Sequence, residues 1–101
     1  MAKGYVIFTE DIHDEAKMNE YSAKAVPTLF GSGATILSVS TAPTVLEGQW
    51  HGTQTVVLEF ESVEAAQAWY DSDAYAEAKP IRFEAANCNA VIVPGFEMPG
   101  A

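Results

Sequence analysis

The chain has 101 residues and a formal net charge of −9, because fourteen acidic side chains outnumber five basic ones. The length predicts one domain with a modest core, and a hydrophobic share of 49% excludes a disordered tail. A nucleic-acid binder needs a basic patch that displaces counterions, which five cations in so acidic a chain cannot form. An anionic membrane is disfavoured as a partner for the same reason.

Cysteine content and hydropathy indicate the compartment. Cys88 is the only cysteine, so no disulfide forms within the chain and a reducing compartment fits best. The N-terminal segment MAKGYVIFTED lacks the apolar stretch and the cleavage site of a secretory signal. No window has the roughly 18 apolar residues that span a bilayer. The sequence therefore predicts a soluble, cytoplasmic protein.

The first half of the chain begins with a predicted strand and helix. Residues 4–9 (GYVIFT) are β-branched and aromatic, which is typical of a strand. Asp14 is the predicted N-cap of the helix that follows, and Pro27 is expected to kink this helix or restart it as a short final turn. Gly31 and Gly33 should end it. Its apolar face consists of residues three or four positions apart, namely Met18, Tyr21, Ala25 and Leu29.

Three further strands are predicted from runs of β-branched and apolar residues, at residues 35–41, 54–60 and 88–94. A long connection over residues 42–53 separates the first two of them, with a short extended piece around residues 44–46. We expect a single domain over residues 1–96 and a short C-terminal tail over residues 97–101.

Two helical segments are predicted before the last strand. Ser62 caps a helix over residues 63–71, and Ser72 begins a second segment that reaches about residue 86 and is interrupted at Pro80. The order β-α-β-β-α-β is that of the ferredoxin-like split βαβ arrangement. The predicted fold class is therefore α+β, with a four-stranded antiparallel sheet and both helical regions on one face.

The uncovered face of this sheet is too apolar to face water. Both sides of the strands carry apolar residues, with Tyr5 and Ile7 against Val6 and Phe8 in the first strand, and Ile36 against Leu37 and Val39 in the second. Because the helices cover one face only, the other face needs a partner. The simplest partner is the same face of an identical chain, so the sequence predicts a homodimer.

One long motif resembles a known bacterial family. The motif consists of Leu46-Glu47-Gly48-x-Trp50, then Glu59-Phe60-x-Ser62-x-Glu64-Ala65-Ala66-x-Ala68-Trp69-Tyr70-x-Ser72-x-x-Tyr75, then Ala78 and Arg82. In this pattern the chain resembles the family known as domain of unknown function 1330, over about residues 4–95. The resemblance implies the dimeric α+β barrel superfamily, in which two ferredoxin-like subunits pack sheet to sheet and each keeps a cleft between its sheet and its helices.

The resemblance implies no single activity. Relatives elsewhere in the superfamily include cofactor-free monooxygenases that act on polycyclic phenols, haem-degrading enzymes, lactone isomerases and ligand-binding proteins, whereas the family itself has no agreed activity. Many members have a Gly-Gly pair followed by a basic residue before the second strand, where this chain has Gly33-Ala34-Thr35. An anion site that relies on that cation is therefore not implied here.

The candidate ligand-binding residues are Arg82, Tyr70, Tyr75, Trp50 and Tyr21. Arg82 is the only arginine and matches the family motif. Its fork of N–H donors can hold a carboxylate or an enolate, so the expected ligand is a small, partly apolar molecule whose carboxylate, phenolate or carbonyl oxygen lies between Arg82 and the tyrosines. The alternative for Arg82 is an ion pair with a carboxylate of Glu84, Glu77, Glu47 or Glu59. The alternative for the tyrosines is core packing with a hydrogen-bonded hydroxyl.

The candidate catalytic residues are Tyr70, Glu59 and His51. Tyr70 can act as an acid or base in the cleft, Glu59 as a general base, and His51 as a base near neutral pH. Glu59 is expected on the dimer side of the sheet, opposite to the side of Val56, Leu58 and Phe60. The alternatives are core packing for Tyr70, an intersubunit ion pair with Arg82 or a lysine for Glu59, and solvent exposure for His51.

Trp50 lies in a loop between Gly48 and Gly52, where a polar residue would suffice. The favoured interpretation places it at the subunit junction, and a ligand pocket is the alternative. No pair of His, Cys or acidic residues has a zinc spacing and no histidine is placed to ligate haem, so no metal and no cofactor are predicted.

Three functions stay open after this reading of the sequence. The favoured one is a dimer that binds a small, partly apolar molecule in the cleft between sheet and helices. The second is a cofactor-independent enzyme, monooxygenase-like or isomerase-like, that acts on a small aromatic or carbonyl compound. The third is a purely structural or interaction dimer.

Overall fold

A computed structural model of the protein describes residues 2–99, so residues 100 and 101 of the predicted tail lie outside the described residues. Four strands and three helices follow one another in the order β1 (Gly4–Ile12), α1 (Glu15–Phe30), β2 (Thr35–Ser40), β3 (Gln54–Phe60), α2 (Val63–Tyr70), α3 (Asp73–Ala85) and β4 (Ala86–Pro94). The strands form one sheet in the order β2-β3-β1-β4. Every neighbouring pair is antiparallel, which confirms the predicted ferredoxin-like α+β fold.

Each helix begins at the residue type that the sequence predicted. The side chains of Asp14, Ser62 and Ser72 accept hydrogen bonds from backbone N–H groups in the first turns of α1, α2 and α3, respectively. These bonds satisfy N–H groups that have no partner inside the helix. The caps therefore fix the residue at which each helix starts.

The two internal prolines do not divide their helices. Pro27 lies inside α1 and Pro80 lies inside α3, and each helix continues as one segment. Of the two alternatives expected at Pro27, a kink or a restart, the restart was therefore wrong, and so was the interruption expected at Pro80. A proline removes one backbone hydrogen bond, and packing of α1 against α3 keeps both helices intact.

Both edges of β1 pair over more residues than the sequence predicted. The β1–β4 ladder runs from Gly4 opposite Pro94 to Ile12 opposite Ala86. β1 therefore continues three residues beyond Thr9, and β4 begins directly where α3 ends. This extension places Glu10 in the sheet.

The core lies between the three helices and one face of the sheet. Alternate residues of the two central strands point to it, namely Val6, Phe8, Leu58 and Phe60. The ring of Trp69 on α2 packs edge-on to Phe8 and lies 5.5 Å from the ring of Phe60, measured between centroids. α2 is therefore fixed to the sheet by aromatic contacts.

A register shift in β2 corrects one prediction about the sheet faces. Ile36 lies opposite Leu58 and Val39 lies opposite Val56, with an irregularity between Ile36 and Ser38. Paired residues point to the same face, so Ile36 and Val39 share the helix-covered face. The prediction that they point to opposite faces was wrong, because an extra residue in a strand reverses the alternation after it.

The connection between β2 and β3 extends away from the rest of the chain. Residues 41–53, which we call the connecting arm, contain no strand, so the expected extended piece at 44–46 does not pair with the sheet. Leu46 at the tip is 89% exposed. The radius of gyration is 14.2 Å, against about 13 Å for a compact domain of this length. The arm accordingly contributes little to the core.

Candidate functional site: a cleft between helix α1 and the sheet

A cleft of about 100 Å³ opens on the helix-covered face of the sheet, between α1 and strands β2 and β3. Its walls are mainly apolar and include Met18 and Leu29 from α1, together with Ile36, Val39 and Val56 from the sheet. β2 lies at the edge of the sheet, and Ile36 and Val39 are exposed there. The cleft thus opens to solvent beside β2.

Glu10 is the buried charged residue of the cleft wall. Its side chain is only 2% exposed, and its Oε1 atom accepts a 2.8 Å hydrogen bond from Nε2 of Gln54, which lies opposite it in β3. Burial raises the pKa of the Glu10 carboxyl group, while the Gln54 hydrogen bond and the charge of Arg82 act in the opposite direction. A buried carboxyl in an apolar cleft is typical of a ligand-binding or catalytic group.

The end of the connecting arm holds the backbone of Glu10. The carbonyl oxygen of Glu10 accepts a 2.7 Å hydrogen bond from the backbone N–H of Thr53. Gly52 packs so closely on Glu10 that an added Cβ atom would lie 2.7 Å from its carbonyl carbon. The end of the connecting arm therefore restrains the Glu10 backbone and, through it, the position of the Glu10 side chain.

A buried polar cluster of Tyr21, Tyr75 and Arg82 lies beside the cleft. The Tyr21 and Tyr75 hydroxyl oxygens are 2.7 Å apart, and Nε of Arg82 donates a 3.3 Å hydrogen bond to the Tyr75 hydroxyl. Burial raises the pKa of both tyrosines. Burial lowers the pKa of Arg82, but interactions with Tyr75, Cys88 and Tyr21 outweigh this effect and raise it overall. All three side chains therefore keep their protons at neutral pH.

Arg82 is held among aromatic rings. Its guanidinium carbon lies 4.9 Å from the centre of the Phe8 ring and 5.0 Å from that of Phe83. Its Nη2 atom is buried and makes no hydrogen bond within the described residues. Ion pairs between described residues join Lys17 to Glu84 and Lys3 to Glu61, and none involves Arg82. The expected carboxylate partner of Arg82 is thus replaced by Tyr75.

The other candidates lie on the open face of the sheet, which the helices do not cover. Glu59 accepts a 3.1 Å hydrogen bond from the Tyr5 hydroxyl, so its predicted side of the sheet is confirmed. His51 shares a 2.8 Å hydrogen bond with Thr9. These residues cannot act together with the cleft, because the sheet lies between them.

Trp50 also lies at the open face. Its Nε1 atom donates a 2.8 Å hydrogen bond to Oγ1 of Thr55, and its side chain is 52% exposed. The indole is therefore directed along the connecting arm towards the open face. It does not line the cleft between α1 and the sheet.

The predicted site residues thus occupy three places. Tyr21 lines the cleft, and Tyr75 and Arg82 are linked to it by hydrogen bonds. Tyr70 lies on the far side of Tyr75, where the Lys79 ammonium group sits 3.9 Å above its ring and a shallow groove runs towards β4. The functional residues that sequence reasoning missed are Glu10 and Gln54. The available signal was the alternation in β1, which continues from Val6 and Phe8 to Glu10.

These observations define the class of protein. The chain is a ferredoxin-like α+β protein with a small apolar cleft on the helix-covered face of its sheet. The family model described as domain of unknown function (DUF1330) matches residues 3–96. The chain belongs to this family, as the sequence motif implied.

Several solved structures have the same fold. A protein of unknown function from Rhodopseudomonas palustris aligns with a TM-score of 0.77 and 14% identity, over 96% of this chain and 85% of that chain. A dimeric ferredoxin-like protein of unknown function from Jannaschia aligns with a TM-score of 0.66 and 13% identity, over 90% and 97%. The cofactor-independent oxygenase SnoaB from Streptomyces nogalater aligns with a TM-score of 0.68 and 6% identity, over the whole of both chains. At these identities the likeness shows the fold alone.

Three further findings concern metal ligands, membrane-spanning helices and similarity to curated proteins. Among the described residues, no group of three or more His, Cys, Asp or Glu side chains could hold a metal ion. No helix in the described part of the chain is long and apolar enough to cross a membrane. A comparison with curated proteins returns no match.

Proposed function

We propose that the protein binds a small, partly apolar molecule in the cleft between α1 and the sheet. The observation that carries this proposal is an apolar cleft, open to solvent at the edge strand, whose wall contains the buried Glu10 and its hydrogen bond from the half-buried Gln54. Ligand sites are typically concave and mostly apolar, with a few polar groups that fix the orientation of the ligand. The cleft meets this description with residues from α1, the sheet and Trp69 of α2.

The size of the cleft limits the ligand. Its volume of about 100 Å³ is well below the roughly 300–1,000 Å³ of sites for drug-sized molecules. A short aliphatic chain or a single ring is therefore the expected occupant. This limit argues against a polycyclic substrate in the cleft of one subunit.

The binding unit is proposed to be a homodimer. The open face carries Ile7, Val57, Val91 and Val93, which pair across the central strands and continue onto β4. Val91 is 50% exposed in the single chain, and contiguous apolar surface of this kind marks an association site. The Jannaschia protein, described as dimeric, has the same fold. A second copy of the chain is accordingly the proposed cover.

The sequence predicted a ligand oxygen between Arg82 and the tyrosines, and the arrangement of the Tyr21, Tyr75 and Arg82 cluster affects this prediction. Binding of an oxyanion between Arg82 and the tyrosines stays a prediction. The Phe8 and Phe83 rings around Arg82 make it harder for a ligand to reach the guanidinium group. Of the five predicted ligand-binding residues, Tyr21 is the one that we retain in direct contact with the ligand. Tyr75 and Arg82 are proposed to hold Tyr21 in place.

Ligand-observed NMR with a library of small alcohols, amines, acids and single-ring compounds tests the proposal. Ser22 lines the mouth of the cleft on α1, and its neighbour Ala23 is exposed and lies outside it. Ser22→Trp should block binding of any hit, whereas Ala23→Trp should leave binding unchanged. Hits that bind both variants equally, or no hits at all, would contradict a ligand site in this cleft.

A further inference from the structure

We propose that the ligand is a small primary amine with an apolar tail, bound as an ammonium ion against the Glu10 carboxylate. This inference rests on the proposed function and names the class of molecule that the cleft takes. It differs from the anionic ligand that the sequence suggested. Four features support it, namely the charge of the cleft wall, the geometry around Glu10, the shape of the site and the net charge of the chain.

The first support is the charge of the cleft wall. Glu10 is the charged side chain among the described residues that line the cleft, and no lysine, arginine or histidine lines it. A carboxylate ligand would place a second negative charge beside Glu10 in a site of low dielectric constant, which is costly. An ammonium ion supplies an opposite charge there. Arg82 does not line the cleft, and its charge offsets that of Glu10 in part. The remaining preference of the wall is for a cation or, more weakly, for a neutral donor.

The second support is the geometry around Glu10. Gln54 donates one hydrogen bond to Oε1, and a carboxylate can accept several hydrogen bonds through its two oxygens. The rings of Phe8, Tyr21 and Trp69 line the same cleft and supply apolar contact area next to the carboxyl group. An ammonium group has three N–H donors and no acceptor, so it matches the acceptor capacity that the Gln54 bond leaves on the carboxylate.

The third support is the shape of the site. Leu29, Ile36 and Val39 line the same cleft as Glu10, so one molecule can contact the carboxylate and the apolar wall together. A chain of about five carbons is the length that we choose to probe a cleft of this size. The apolar tail gains burial, while the ammonium group meets the carboxylate.

The charge of the whole chain acts in the same direction. A formal net charge of −9 produces a negative potential that raises the local concentration of small cations and lowers that of anions. This effect weakens with added salt, because the Debye length falls to about 8 Å at physiological ionic strength. Amine binding should accordingly weaken as salt is added, and carboxylate binding should not.

The test compares three probes of equal length on the wild-type protein, namely pentylamine, 1-pentanol and pentanoate. Calorimetry measures the dissociation constants, and NMR shifts of the Met18 and Val39 methyl groups locate the binding in the cleft. We expect pentylamine to bind about tenfold more tightly than 1-pentanol, as a charged hydrogen bond exceeds a neutral one, and pentanoate to bind least. Equal or tighter binding of 1-pentanol or pentanoate would overturn the amine assignment.

Two variants separate the carboxylate from the general charge of the protein. Glu10→Gln should remove the preference for pentylamine over 1-pentanol and keep the affinity for 1-pentanol. Glu64→Gln removes one negative charge from the exposed surface of α2 and should keep the preference. If Glu10→Gln does not fold, the three probes on the wild-type protein still decide the matter. If no probe shifts the NMR signals of the Met18 and Val39 methyl groups, the proposed function itself fails. A reversed preference among probes that do bind there would overturn only the amine assignment.

Discussion

The hydroxyl groups of Tyr21 and Tyr75 lie 2.7 Å apart in the interior and join α1 to α3. The Tyr75 hydroxyl also accepts the hydrogen bond from Nε of Arg82. The Tyr75 hydroxyl therefore satisfies two buried groups, the Tyr21 hydroxyl and Nε of Arg82. It lies between the Arg82 cation and Tyr21, which lines the cleft. The stability of the cluster depends more on Tyr75 than on Tyr21.

Replacing each tyrosine by phenylalanine tests this difference. Tyr75→Phe leaves both the Tyr21 hydroxyl and Nε of Arg82 without their partner, so we expect a loss of about 2–3 kcal/mol in the free energy of unfolding. Tyr21→Phe leaves the Tyr75–Arg82 bond in place, so a loss of about 1 kcal/mol is expected. Urea unfolding measures both values. A larger loss for Tyr21→Phe would show that Arg82 does not depend on Tyr75.

The raised pKa of Glu10 predicts how stability depends on pH. The folded chain holds the Glu10 proton at a pH at which the unfolded chain has released it. The contribution of Glu10 to stability is therefore fully present below its unfolded pKa and is lost as the pH rises through its folded pKa. Side chains that interact with this carboxyl group are Arg82 from α3, Tyr21 from α1, Cys88 from β4 and Gln54 from β3.

The comparison with Glu10→Gln isolates this effect from the other carboxylates. We expect the stability of the wild type relative to Glu10→Gln to fall as the pH is raised from about 4 to about 7, since glutamine does not titrate. Thermal unfolding over this range measures the difference. A relative stability that rises with pH would mean that Arg82 and Gln54 outweigh burial at Glu10.

Local signals in the sequence were sufficient for most of the fold. The caps at Asp14, Ser62 and Ser72 use contacts within three residues, and such contacts can be inferred from residue type and spacing. The strand alternation that placed Glu59 opposite to Leu58 is also local. These features required no knowledge of which strands pair.

The missed features depend on pairing between distant segments. β1 continues past Thr9 because β4 pairs with it as far as Ala86, and this continuation is what makes Glu10 a wall residue. The shared face of Ile36 and Val39 follows from the register with β3. The register of β2 could not be inferred from a single strand. Glu10 was missed because the length of β1 depends on its pairing with β4, although the alternation in β1 indicated its side of the sheet.

The oligomeric state tests the role of the open face. Sedimentation at micromolar concentration should give twice the mass of one chain. Val91→Asp places a charge in the apolar open face and should shift the protein towards monomers. Phe30→Asp changes an exposed aromatic residue at the end of α1 and should leave the mass unchanged. A wild type that sediments as a monomer, or a Val91→Asp variant that remains dimeric, would contradict pairing through this face.

Trp50 should contribute to the same interface. Its indole is half exposed in a single chain although it is anchored to Thr55, so a second chain is expected to cover the remaining surface. Trp50→Ala should weaken dimerisation or lower the melting temperature, with a cost of about 2–4 kcal/mol. Phe30→Ala, which truncates an exposed aromatic residue elsewhere, is the control. If Trp50→Ala changes neither the dimerisation constant nor the melting temperature, the Trp50 ring is exposed to solvent and does not contribute to the interface.

Gly52 tests how the arm positions Glu10. Its φ angle is +92°, and an added Cβ would meet the Glu10 backbone at 2.7 Å, so Gly52→Ala combines strain at a positive φ with a collision. Gly33 has a φ angle of +76° and no atom within 4 Å of an added Cβ, so Gly33→Ala carries the strain alone. We expect a loss of about 1 kcal/mol for Gly33→Ala and of about 2–4 kcal/mol for Gly52→Ala. Because the collision displaces β1 at Glu10, only Gly52→Ala should also weaken pentylamine binding. Equal losses in both variants, with binding intact, would show that the arm yields to the added methyl group and does not hold Glu10.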